Sequence, residues 1–252
     1  MIDETVVRRL RAAGCVFAED EAALLVAAAR TPDELTSMVE QRATGRPLEH
    51  VLGWAEFCGL RIAVDPGVFV PRRRTEFLVE LATSLTRPGS VVLDLCCGSG
   101  ALGAALAAAA GPIELHATDV DPAAVRCARR NVDGSVYDGD LFEPLPTSLR
   151  GRVDVLLANV PYVPSDEVGL LPAEARQHEA RVALDGGTDG LDVLRRVAAA
   201  APTWLAPGGH LLIETSERQV PQAVAAFESC RLDTRVASDD ERGATVVIGR
   251  SG

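Results

Sequence analysis

The segment LLANVPYVP, residues 156–164, runs from an apolar strand into an amide, a proline and an aromatic. Asn159, Val160, Pro161 and Tyr162 in that order suit a flat, conjugated nitrogen group such as a carboxamide. Such a nitrogen is a poor nucleophile because its lone pair is delocalised into the carbonyl, so positioning has to supply most of the rate. If the Asn159 side-chain oxygen accepts one amide hydrogen and the Val160 backbone carbonyl accepts the other, the nitrogen is fixed. Negative dipoles then face the positive charge that develops on it. Pro161 sets the turn, and the Tyr162 ring lies against the flat group and keeps water out. The valine removes no hydrogen-bonding group, since every residue carries a backbone carbonyl. The plainer alternative, a strand ending in an X-Pro turn with Tyr162 merely packed, loses weight once the upstream loop is considered.

That loop is VVLDLCCGSGALG, which ends a strand near Asp94 and passes through Cys96, Cys97, Gly98, Ser99 and Gly100 into a helix. Glycines there let the backbone approach a ligand closely, and the first helical amides favour polar or negative groups. Two bulky cysteines precede the glycines, which makes the loop a poor match to a dinucleotide fingerprint. The next strand, IELHATD, ends at Asp119, about twenty residues beyond the glycines, where a carboxylate can accept from both hydroxyls of a ribose. Asp121, followed by Pro122, is assigned instead to capping the next helix. A third strand leads to Asp140 and Leu141, a polar edge and an apolar face for an adenine. Asp94, Asp119 and Asp140 stand at three successive strand ends, and together they carry a ligand reading that none carries alone.

The elements that must hold these groups are legible as alternation. SVVLDL, IELHATD, SVYDGD, VDVLLANV, GHLLIET and ATVVIG read as strands between helical stretches such as ALGAALAAAA, DPAAVRCARRN, LDVLRRVAAAAPTWL and QVPQAVAAFES. The pattern predicts an α/β fold, a Rossmann-like parallel sheet with helices on both faces, with ligands outside the carboxyl ends of the strands. Residues 163–190 hold several breakers and are expected to form a long loop or flap over the site. Three regions are expected: a small helical cap over 1–48, a linking β-hairpin over 49–70 centred on Gly59, and the ligand-binding domain over 71–252. In the cap, RTPDEL is a helix start, and Val6, Val7, Leu10, Leu24 and Leu25 have helical spacing.

Composition narrows the setting. A chain of 252 residues buries a full core. Its net charge of −11 disfavours broad binding to nucleic acid, which needs a basic face. The six cysteines are scattered with no C-x-x-C pair, which fits a reduced cytoplasmic protein with neither disulfide framework nor metal site. Charged residues throughout the first thirty positions exclude a signal peptide, and ALGAALAAAA is too short to span a bilayer. All 25 basic residues are arginine, a bias of composition before it is a sign of phosphate binding. A monomer is expected.

Taken together, these motifs resemble class I methyltransferases that use S-adenosyl-L-methionine, and more narrowly the HemK/PrmC family of protein-glutamine N-methyltransferases. The likeness covers nearly the whole chain: GRPLEHVLGWAEFCGLRIAVDPGVFVPRRRTEFLVE resembles the family's hairpin and proline-arginine segment, DLCCGSG its cofactor loop, ANVPY its Asn-Pro-Pro-Tyr signature, and HEARVALDGGTDGLDVLRR the segment after it. The resemblance implies that Cys96 to Gly100 and Asp119 hold S-adenosylmethionine and that Leu141 touches its adenine. Asn159 to Tyr162 would hold a glutamine of a release factor, with Asn159 bordering both ligands. Four departures stand out. Cys96 takes a place where the family usually has glycine, and Val160 replaces the first proline of the signature. Pro-Arg-Pro-Glu-Thr-Glu becomes Pro71, Arg72, Arg73, Arg74, Thr75 and Glu76. The helical cap is shorter than the family's substrate-recognition domain.

Cations at a helix start oppose its dipole, so the triple arginine calls for a compensating partner, and Arg73 or Arg74 is expected to meet an acidic protein substrate. Cys97 reads as an apolar filler, His116 and His210 as structural, and His178 as a weak candidate beside Glu179. Two other functions compete. One is methylation of an adenine exocyclic amine in DNA or RNA, with Tyr162 stacked on a flipped base. The other is a cofactor-binding or protein-binding paralogue without catalysis, for which Val160 and Cys96 are the hints.

Overall fold

The computed structural model describes residues 4–252; the first three residues of the expected cap lie outside the described residues. The chain opens with helices α1 (Glu4–Ala12), α2 (Ala18–Ala28) and α3 (Pro32–Ala43). Thr31 is extended, its hydroxyl accepts from the Glu34 N–H at 3.1 Å, and Pro32 takes the first turn, where no N–H is needed. Val6, Val7, Leu10, Leu25, Met38 and Val39 close into a small core of their own, whereas Leu24 faces solvent. A fourth helix, α4 (Leu48–Leu52), stops at Gly53, whose left-handed backbone ends it.

A hairpin follows, β1 (Trp54–Phe57) paired antiparallel with β2 (Leu60–Ala63) across Cys58 and Gly59. Both turn residues have positive φ, 49° and 72°, as a two-residue hairpin loop requires. Ala55, Phe57 and Ile62 are buried in the same cluster as Leu78, Val79 and Ala82 of α5 (Glu76–Leu85), so the hairpin is built into the main core.

That core surrounds a seven-stranded sheet. In chain order its strands and helices are β3 (Val91–Leu95), α6 (Ala101–Ala110), β4 (Glu114–Asp119), α7 (Pro122–Asn131), β5 (Ser135–Asp138), β6 (Val153–Ala158), α8 (Ala173–His178), α9 (Asp192–Trp204), β7 (Leu205–Glu214), α10 (Val220–Ser229), β8 (Asp233–Asp239) and β9 (Ala244–Arg250). The spatial order is β5-β4-β3-β6-β7-β9-β8. The period of two is explicit in β6: Leu156 and Ala158 pack with α9 and α10 on one face, Val155 and Leu157 with α5, α6 and α7 on the other.

The fold is the Rossmann-like sheet with helices on both faces that alternation predicts, with one correction. The sheet is not wholly parallel, because β9 runs antiparallel to both β7 and β8. Strand β8 was not anticipated, for a physical reason: DTRVASD is an edge strand with no buried residue and so no apolar run to read. Among the described residues no helix is long and apolar enough to cross a membrane.

Candidate active site

Strand β3 lies between β4 and β6, so the chain turns one way after β3 and returns on its other side. This is the switch point where such sheets open a crevice at their carboxyl ends. A cavity of about 770 Å³ occupies it, walled by the glycine loop, the ends of β4 and β5, the NVPY loop and the segment after it. The expected flap is ordered there. It holds α8 and two short turns, is tied to the body through a bridge from Gly67 to Glu179, is closed on itself by one from Val163 to Asp185, and lines the cavity with Leu171, Glu174 and Leu184.

The glycine loop is a left-handed path. Cys96, Gly98 and Gly100 have φ of 53°, 56° and 78°. A β-carbon on Gly98 would meet nothing within 4 Å, while one on Gly100 would stand 2.6 Å from a Val132 methyl. Gly98 therefore borders open cavity, and Gly100 lets the loop press on α7. Cys96 carries a side chain where the backbone favours glycine. Gly98, Gly100 and Gly103 do keep dinucleotide-fingerprint spacing, contrary to expectation, so the loop by itself does not separate the two ligand classes.

The two acids after β4 divide their tasks. Asp121 caps α7 by accepting from the Ala123 N–H at 2.8 Å. Asp119 lines the cavity and accepts from the Gly98 N–H at 2.8 Å and the Asp121 N–H at 2.9 Å. Burial pushes its carboxyl upward, against those amides, which pull it down. Asp94 behaves differently. It is 1% exposed, does not line the cavity, and accepts from the Gly103 N–H at 3.0 Å beneath the loop. Burial raises its carboxyl to about 7. Asp94 Oδ1 and the Thr118 hydroxyl are buried and have no partner among the described residues. Open space at Gly98, an acid at the strand end and an unpartnered hydroxyl on the wall fit a polar nucleoside-bearing cofactor.

Cys96, Cys97, Ser99, Asp140 and Leu141 also line the cavity. Leu141 has φ of 48° and is buried, and Asp140 pairs with Arg196 at 2.5 Å. Burial pushes both loop thiols upward, which leaves them protonated and unreactive.

Across the cavity stand Asn159, Val160, Pro161 and Tyr162. Asn159 Nδ2 donates to the Thr75 hydroxyl at 3.4 Å, which leaves Oδ1 as the free acceptor. Val160 is buried, and no described hydrogen bond uses its N–H or carbonyl. The Tyr162 hydroxyl accepts from Arg74 Nη2, and its carbonyl accepts from Gln219 Nε2 at 2.9 Å.

The arginine run finds its compensation inside the molecule. Arg72 donates to both oxygens of buried Glu179 at 2.6 and 2.7 Å. Arg74 Nε donates to Glu214 at 3.1 Å. The expectation that Arg74 meets a substrate acid is corrected: its partners are Glu214 and Tyr162. Arg73 is exposed, with no ion-pair partner among the described residues. His178 does not line the cavity, and His116 stacks on Tyr137 with ring centroids 5.9 Å apart. Thr75, Glu214 and Gln219 were missed; their only signal was the unexplained charge ahead of α5.

Comparison with known proteins settles the family. The model of the methyltransferase small domain matches residues 59–188. The release factor glutamine methyltransferase of Geobacter sulfurreducens is 36% identical over 226 residues, covering 86% of this chain and 78% of that protein. The chain belongs to the release factor glutamine methyltransferase family. The family member of Streptomyces coelicolor is 39% identical over 197 residues, 75% of this chain and 70% of that one. A methyltransferase structure from Pyrococcus furiosus, 18% identical with a TM-score of 0.59, covers 86% of this chain and 99% of its own, and it supports the fold. Within this release factor glutamine methyltransferase family member, residues 59–188 take in the glycine loop, Asp119, Asp140, the NVPY loop and Arg74.

Proposed function

We propose that this chain transfers a methyl group from S-adenosylmethionine to the side-chain amide nitrogen of a glutamine in a peptide-chain release factor. The observation that carries the reading is Asn159. Because Thr75 engages its Nδ2, Oδ1 is left to accept, next to a Val160 carbonyl that is also free. Two acceptors side by side suit the two hydrogens of a primary amide and a nitrogen on which positive charge develops.

On the opposite wall, the Cys96–Gly100 loop, Asp119, Asp140 and Leu141 would hold the cofactor, with Asp94 supporting the loop from behind. When bound, S-adenosylmethionine supplies an electrophilic sulfonium methyl. The protein's own contribution is to orient and to exclude water: Asn159 and Val160 fix the amide, Pro161 shapes the turn, and the Tyr162 ring covers the flat face. The proton leaves after methylation, so no strong base is required. A release factor substrate implies action in the cytoplasm, and we propose a monomer.

The test is incubation with labelled S-adenosylmethionine and a purified release factor, followed by mass spectrometry. One methyl group on the glutamine of a Gly-Gly-Gln sequence is expected. Label appearing in adenine of nucleic acid, with none in the release factor, would sink the reading.

A further inference from the structure

The short turn Arg73–Thr75 ahead of α5 touches both chemistry-bearing side chains of the NVPY loop with consecutive residues. Thr75, fully buried, holds Asn159, and Arg74 holds Tyr162. Arg74 is itself anchored. Its Nε donates to Glu214, whose side chain is 3% exposed, and its guanidinium stands 5.9 Å from the centroid of the Tyr162 ring. Arg74 and Tyr162 also line a second, polar cleft of about 360 Å³ beside Glu214, Thr215 and Asp239. The pair therefore forms the partition between that cleft and the main cavity.

We propose that Arg74 is a positioning residue for methyl transfer: anchored on Glu214, it grips the Tyr162 hydroxyl and keeps the ring closed over the acceptor amide. An arginine suits the task because its planar fork donates in two directions at once, one prong to the carboxylate and one to the phenol. Without it, Tyr162 keeps its ring but loses the tether at its far end, and the partition can open to the polar cleft. The kinetic part of this inference rests on the glutamine reading; the grip on Tyr162 does not.

Removing Arg74 alone would strand the buried Glu214 carboxylate, so the test uses Arg74→Met with Glu214→Gln. Against a Gly-Gly-Gln peptide, kcat is expected to fall about tenfold or more, with peptide KM and cofactor Kd moving less than about threefold. Tyr162→Phe should give a similar loss, and adding it to the pair should cost no more than about a further twofold, since both changes break one contact. Independent, multiplying losses, or a fall in cofactor affinity instead of kcat, would overturn the proposal.

The second arm needs no turnover. The chain has only two tyrosines, Tyr137 and Tyr162, so NMR of labelled tyrosine resolves them. Burial pushes the Tyr162 phenol upward, Arg74 pulls it down by charge and by hydrogen bond, and Glu214 pushes it up by less than the Arg74 charge pulls. Arg72 adds a pull that the variant leaves in place; the paired variant should therefore move the Tyr162 signal and still raise its titration while Tyr137 stays put. An unmoved Tyr162 signal overturns the proposal whatever the substrate. A moved signal in a protein that methylates no glutamine upholds the grip and rejects the acceptor.

Discussion

Replacing Asp94 by asparagine tests what supports the glycine loop. The carboxyl rises from its ordinary 3.8 to about 7, chiefly because it is buried and despite a favourable bond from Gly103. A raised carboxyl holds its proton in the fold while the unfolded chain has released it. Between about pH 4 and 7 the native state therefore binds more protons, and stability drains away as pH rises. Three pKa units amount to about 4 kcal/mol, reached in full only above pH 7. The asparagine of the variant keeps an acceptor for the Gly103 N–H and cannot ionise. Its extra amide hydrogens, where Oδ1 now lacks a partner, cost about 1–3 kcal/mol. Urea unfolding of the cofactor-free protein at a series of pH values should show Asp94→Asn gaining on the wild type as pH climbs from about 4 to 7. The slope should approach about 1.4 kcal/mol per pH unit, and the variant should end about 1–3 kcal/mol the more stable. A flat difference, or a wild type that gains on the variant over this range, would refute a buried, protonated Asp94.

Three further outcomes are expected. Arg72→Ala leaves Glu179, wholly buried in its side chain, without its counter-charge, at a cost of about 3 kcal/mol, the low end for a buried pair because Arg72 is itself 36% exposed. Hydrogen exchange should quicken at Ala180, whose N–H bonds Gly67 across the flap, and Glu179→Gln should recover part of the loss. Gly98→Ala puts a methyl toward open cavity on a left-handed backbone, so it should weaken cofactor binding, measured calorimetrically, with a modest loss of stability from the strained φ. Gly100→Ala adds to the same strain a clash with Val132 and should lower the melting temperature more. Asn159→Ala should cost more than about a hundredfold in kcat, whereas Val160→Pro should stay within about tenfold, roughly 1.4 kcal/mol, because no described hydrogen bond uses the Val160 N–H.

What could be read from the chain depended on range. Strands β3, β4 and β6 announced themselves because their buried residues are contiguous or alternate, and the caps at Thr31 and Asp121 because each acts within three residues of itself. The NVPY loop was legible for the same reason, four adjacent residues that the structure brings to one cavity wall. Edge strand β8 was illegible because a strand exposed to water need not be apolar. Read from the sequence, Asp94 faces the ligand, whereas the structure sets it beneath the loop, since a strand end offers two faces and the sequence does not say which one opens to the crevice.

The arginine run marks where local reading stops. Its charge before a helix demanded a partner, and that demand was visible; the partners stand 107 residues away for Arg72 and 140 and 88 for Arg74. An acidic substrate was the natural guess only because nothing in the local sequence singles out Glu179 or Glu214 from the other acids. Burial singles them out. A carboxyl kept from water must find a cation or keep its proton, as Asp94 does, and Arg72 and Arg74 are the cations that pair with these two. The same ion pairs fix the flap through Glu179 and Tyr162 through Glu214. The arginine that stands in place of an acid at 74 therefore alters how the NVPY loop is held, while Arg73 meets no ion-pair partner among the described residues.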